Sequence, residues 1–176
     1  MQPNYNHPFL NPHRPPTKSM LAKSIRVDLL VEKVIDRNEP MLTNLGIRVA
    51  TDLTDVEMIA HSGLLERGIE ALVHNAANAL ATGGELSVTL MNSDHQWELE
   101  VAETMGSSTH SKEAGVRPDS GDDSVPVILP FPANDNLKTA LDIAAHHRGQ
   151  LQSWQCQGGG NAFVLVVPNR KLNEEE

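Results

Sequence analysis

The chain has 176 residues, a hydrophobic fraction of 39% and a charged fraction of 21%, which is one domain of ordinary globular composition. Its net charge of −9 excludes a general nucleic-acid binder, which needs a basic face, but not a small anionic ligand held by local amides. The lone cysteine, Cys156, excludes an internal disulfide and any multi-cysteine metal centre, and it points to a reducing, cytoplasmic compartment. Aromatic residues make up only 3% of the chain, which predicts an aliphatic core.

Residues 1–23 carry Pro3, Pro8, Pro12, Pro15 and Pro16 and no apolar stretch, so they read as a disordered Pro-rich tail rather than a secretory signal. No apolar run along the chain reaches the roughly 18–20 residues of a membrane helix. From Asp28, a plausible N-cap, Leu29, Leu30, Val34 and Ile35 recur at helical spacing. Pro40 should kink or end that helix, and Gly46 stops the segment before a short strand at Ile47 and Val49. The clearest element follows: Leu65, Ile69, Leu72, Ala76 and Leu80 form one stripe over about residues 62–81, closed by Gly83-Gly84. Leu86-Val88-Leu90 and Trp97-Leu99-Val101 alternate on either side of Asn92-Ser93-Asp94, which is a hairpin pattern.

Residues 104–135 interrupt this rhythm, and the stretch to Ser124 is dominated by Ser, Gly, Asp and Glu; a loop this long is a functional lid or a disordered insertion. Leu137, Ala140, Leu141 and Ala144 then mark a helix ending at Arg148-Gly149. Leu151–Cys156 and Phe163–Val167 are strands around a Gly158-Gly159-Gly160 turn, with Cys156 expected in the core. Residues 169–176 form an acidic, solvated tail. The order predicts an α/β two-layer sandwich, a mixed sheet covered on one face by about three helices.

The residues able to carry chemistry are few. At 100° per residue Asn75 falls beside the apolar stripe of its helix, on a border shared with Ala71, Asn78 and Thr82. An amide there can point between helix and sheet and offer oxygen to a hard cation such as magnesium. Gly160 could let backbone approach a ligand closely. His146 and His147 are adjacent on a helix and so point about 100° apart, which favours a surface or C-cap role over shared metal ligation. No Ser/His/Asp or Cys/His catalytic set is arguable from spacing.

Taken in order, Asn75-Ala76, then Gly83-Gly84-Glu85-Leu86-Ser87-Val88, then Val101-Ala102-Glu103-Thr104-Met105-Gly106, a lid-like loop, Ile143–Leu151 and Gly158–Phe163 with Val167-Pro168 resemble the ATP-binding domain of sensor histidine kinases. That domain belongs to the wider GHKL, or Bergerat-fold, family that includes gyrase. The resemblance spans roughly residues 25–168, and it implies an ATPase-type domain over 24–168. It also implies that Asn75 holds magnesium, that Asn78, Gly106 and Gly160 lie along the nucleotide, and that Glu103 accepts from the adenine amino group, where the family has Asp. The implied role is phosphorelay or two-component signalling with ATP and Mg2+ as cofactors.

The departures from the family pattern bear on activity. Met105 stands where the family has glycine. The segment Phe131-Pro132-Ala133-Asn134-Asp135-Asn136 stands where a glycine stretch would bind phosphates, and it brings a proline without an N–H and an acid. No histidine followed by an acid lies on a dimerisation helix pair, and residues before 28 are too few for one. Any phosphoacceptor or response regulator is therefore expected to be a separate signalling partner. If the departures abolish nucleotide binding, the alternative is a non-catalytic pseudo-ATPase that serves as a protein-interaction module.

Overall fold

In the computed structural model, residues 22–80, 83–104, 134–156 and 159–169 are described. Most of the proline-rich tail, of the lid-like loop and of the acidic tail lies outside them, but Lys23, expected at the end of the tail, already belongs to a strand. Ten elements follow in order: β1 (Lys23–Arg26), α1 (Val27–Asn44), β2 (Ile47–Leu53), β3 (Glu57–Ala60), α2 (Ser62–Ala79), β4 (Gly84–Asn92), β5 (Gln96–Thr104), α3 (Asp135–His146), β6 (Gln150–Gln155) and β7 (Asn161–Pro168).

Five strands form one mixed sheet in the order β2-β4-β5-β7-β6, while β1 and β3 pair separately. β2 runs parallel to β4, with Val49 opposite Leu86; parallel neighbours need a crossover, and the crossover contains α2. The other pairs are antiparallel, and β4–β5 is the expected hairpin. Period-two alternation puts Leu86, Val88 and Leu90 on the same face as Trp97, Leu99, Val101, Phe163, Leu165 and Val167. These side chains are buried in one cluster with Leu65, Ile69, Leu72 and Ala76 of α2 and Leu137, Ala140 and Ile143 of α3. The two-layer sandwich is therefore present, with three helices on the mixed sheet. Each fully buried Leu or Ile contributes roughly 1.5–3 kcal/mol, so this contiguous cluster sets the positions of everything at its edge. The core is not purely aliphatic: Trp97 is fully buried in it and Phe163 nearly so.

Several local expectations are corrected. Asp28 does not cap α1; Arg26 is the N-cap residue and Asp28 is buried in the first turn. There Asp28 Oδ1 accepts from Arg26 Nε at 2.8 Å, and this hydrogen bond and the guanidinium charge hold the carboxyl below its ordinary value. Pro40 neither ends nor divides α1, which continues to Asn44. Leu42, only 1% exposed, anchors the last turn to the core, and that burial outweighs the one missing helix hydrogen bond. Gly46 stops the segment as expected, with φ of +69°. The pair β1 and β3 gave no period-two signal, since only Ala60 among these residues is buried.

α1 and α2 are joined along their exposed flank by charge. Glu66 receives Lys33 Nζ at 3.1 Å and Arg37 Nη1 at 2.7 Å, and Arg37 also reaches Glu70 at 3.0 Å. Burial alone would raise the Glu66 carboxyl, but the two cations bring it below its usual value. A second link is a pair of side-chain hydrogen bonds. Asn38 Nδ2 donates to Val34 O at 2.8 Å, so its Oδ1 is the acceptor facing His74 Nε2, also at 2.8 Å. That fixes the proton of His74 on Nε2. α2 is thereby tied to α1 by both links.

Candidate functional site

Glu103 occupies the end of β5. It shares the helix-facing side of the sheet with Trp97, Leu99 and Val101, because all four are odd-numbered on one strand. Its cross-strand partner in β4 is Leu86. An acid at the rim of an aliphatic core is unusual, and Glu103 is only 3% exposed. One of its oxygens is secured: Asn161, the first residue of β7, donates from Nδ2 to Oε1 at 2.9 Å. Oε2 is buried with no hydrogen-bond partner among the described residues. Desolvation raises the carboxyl pKa, and the side-chain and backbone N–H donors of Asn161 oppose that shift only in part.

Gly160 precedes Asn161 with φ of +93°, a conformation that glycine adopts without penalty. A Cβ at this position would lie 2.0 Å from the Glu103 carbonyl oxygen. The close approach expected of Gly160 is thus to the backbone of β5, and its effect is to bring Asn161 over Glu103. Cys156, expected inside a strand and the core, lies just past β6 and is half-buried; burial and the charges of Glu100 and Glu103 push its thiol up to about 11. It is therefore protonated and unreactive at neutral pH.

Asn75 lies on α2, half-buried, beside buried Ala76. Its Oδ1 accepts from Asn134 Nδ2 at 2.9 Å. Asn134 is the N-cap of α3, and its own Oδ1 accepts from Leu137 N at 2.8 Å. Ala71 is buried one turn before Asn75, whereas Asn78 is exposed. Gly106, Met105 and Thr82 lie outside the described residues. Glu103 thus pairs with Asn161 and Asn75 with Asn134, and no hydrogen bond between described residues joins the two pairs.

Sequence reasoning missed both Asn161 and Asn134 as partners. Asn134 was findable, since Asn before an acidic first turn is a common helix start. Asn161 gave no local signal, because its role depends on the register of β5 against β7.

The histidines take structural positions. His147 is the buried C-cap residue of α3, and His146 is exposed. His61 is the N-cap residue of α2, and its ring centroid is 5.3 Å from that of His146. All three line a cavity of about 190 Å³ that includes neither Glu103 nor Asn75. Among the described residues no group of three or more His, Cys, Asp or Glu is arranged to hold a metal ion. No described helix is long and apolar enough to cross a membrane.

No protein-family model and no curated protein matches this chain. Solved structures do. The catalytic domain of the histidine kinase ThkA superposes with a TM-score of 0.66 at 15% identity, over 85% of this chain and 98% of that one. The mycobacterial sensor histidine kinase MprB gives 0.63 at 19% identity, over 86% and 100%. Full-length ShkA in complex with AMPPNP gives 0.59 at 19% identity; the match covers 84% of this chain but only 31% of that longer protein. ThkA has also been solved with the response regulator TrrA. The mixed sheet, the three helices over one of its faces and the span of these matches agree: this chain has the fold of a histidine-kinase-type ATPase domain.

Proposed function

We propose that this chain binds an adenine nucleotide between α2 and the β5–β7 end of the sheet and acts in two-component-type signalling. In this reading it works with a separate signalling partner, a phosphoacceptor protein or a response regulator. The observation that carries the reading is Glu103. A buried carboxylate with one oxygen secured by Asn161 and the other without a partner among the described residues is costly in a protein that uses it for nothing, because an unsatisfied buried acceptor destabilises by about 1–3 kcal/mol. An exocyclic amino group such as that of adenine supplies the missing donor. The position, at the end of the second hairpin strand, is where the resemblance expects the base to be recognised. The folds of ShkA, solved with AMPPNP, and of ThkA, solved with a response regulator, support the class of ligand and of partner.

Magnesium fits less well than the base. Asn75 is the expected ligand, but its oxygen already accepts from Asn134. That contact favours a second reading, a domain that keeps the fold as a protein-interaction module without turnover. A thermal-shift titration with ATP, ADP and a non-hydrolysable analogue separates the two. A saturable rise in melting temperature supports nucleotide binding, since a ligand of the native state must stabilise it. A flat response at several millimolar nucleotide overturns the first reading and leaves the second.

A further inference from the structure

The hydrogen bonds at the start of α3 determine which way two amides face. The backbone N–H of Leu137 can only donate, so the Asn134 atom it meets at 2.8 Å is the oxygen. The other arm of Asn134 is therefore its NH2 group, and this donates to Asn75 at 2.9 Å. Asn75 must then present oxygen, the atom a hard cation would take. Asn134 cannot turn away freely, because rotating it uncaps α3. We propose that Asn134 sets the metal dependence of the nucleotide site: by occupying Asn75 Oδ1 from α3, it makes the site take adenine nucleotide chiefly in its magnesium-free form, recognised at the base by Glu103.

This rests on the nucleotide reading above and specifies the form of the ligand. A carbonyl oxygen has two lone pairs, so the Asn134 N–H competes with a cation rather than excluding it. The competition is uneven on two grounds. The positive end of the N–H dipole lies against the oxygen, and magnesium demands near-ideal octahedral geometry, tolerating a displaced ligand poorly. Asp135 lies in the first turn of α3, and among the described residues no group of three or more His, Cys, Asp or Glu is arranged to hold a metal ion.

The test is calorimetric titration of the full chain with ADP, with and without magnesium, in the native protein, Asn134→Ser and Asn134→Asp. Serine and aspartate cap helices about as well as asparagine, so α3 is retained, and unchanged melting temperatures verify it. The native protein should change affinity by less than about twofold on adding magnesium. Asn134→Ser, which loses one net hydrogen bond to Asn75, should gain about fivefold. Asn134→Asp, which adds a carboxylate beside Asn75, should show a larger magnesium gain. Adding Asn75→Ala to Asn134→Ser should abolish the new magnesium response. A native affinity that rises about tenfold or more with magnesium overturns the inference. So does an Asn134→Ser response equal to the native one, or a response that survives Asn75→Ala; in each of these cases nucleotide binding itself stands. If ADP binds none of the variants, the nucleotide reading falls and this inference falls with it.

Discussion

Glu103 combines properties that oppose each other in a merely structural residue. It is desolvated, which disfavours its charge, and it receives donors from Asn161, which favour it. Glu103→Gln should therefore leave the free protein as stable as before or slightly more so, while nucleotide affinity falls about tenfold through loss of a charge-assisted hydrogen bond. Urea unfolding alongside an ADP titration reads both signs, and a parallel loss of stability and binding would make Glu103 a structural residue. The pH dependence follows from the same group. Its pKa is raised in the free protein, and a base amino group prefers the carboxylate, so affinity should fall as pH drops through that raised pKa. Adenosine, which has no phosphate to titrate, is the probe to use. Gly160→Ala tests the geometry that holds Asn161 in place. The added Cβ meets the Glu103 carbonyl at 2.0 Å at a φ of +93°, and the variant should lose about 2–4 kcal/mol in chemical denaturation.

At the scale of elements, α1 shows tertiary packing overriding a local signal. Pro40 is exposed and lies inside the helix, so the Asp36 carbonyl lacks its usual backbone donor. Pro40→Ala restores that donor without touching the core, and it should stabilise the protein by about 1–2 kcal/mol, read as a rise in melting temperature. An unchanged or lowered melting temperature would mean that α1 is already bent to accommodate the proline. The contact between α2 and α3 is set by a small residue. A Cβ at Gly68 would lie 2.8 Å from Ile143 Cγ2, so the two helices meet at glycine. That approach places the N-terminus of α3 near Asn75, and through it the Asn134–Asn75 hydrogen bond forms. The helices α2 and α3 and the β4–β5 and β6–β7 hairpins were legible in the chain within a few residues, because each has an amphipathic period or, in β7, a continuous apolar run, together with glycine or polar stops. The short strands β1 and β3 were not. They bury almost nothing and are stabilised by pairing with each other rather than by a pattern of their own.

At the scale of the whole molecule, Glu100 ties stability to pH. It points to the face of the sheet opposite Glu103 and is 4% exposed, between Thr89 of β4 and Val164 of β7. Desolvation pushes its pKa from 4.5 up to about 7. The folded state thus holds a proton that the unfolded chain releases at lower pH. The associated stability is complete below about pH 4.5 and is lost as pH rises through 7. Glu100→Gln should match the native protein near pH 5 and exceed it by about 2 kcal/mol at pH 8, as measured by urea unfolding at both pH values. An equal difference at the two values would show that the charge of Glu100 is not buried at a cost.

The layered α/β architecture, the helix that carries Asn75 and the strand that ends at Glu103 can all be read from the order of residues alone. These follow from hydrophobic periods of 3.6 and 2, which any water-soluble chain must obey to bury its apolar faces. What those two residues touch depends on how the elements pack. Asn161 reaches Glu103 through the register of two strands separated in sequence by α3 and β6, and Asn134 reaches Asn75 because α2 and α3 meet closely at Gly68. Directional hydrogen bonds depend on such packing distances to a fraction of an ångström, and no local period encodes them.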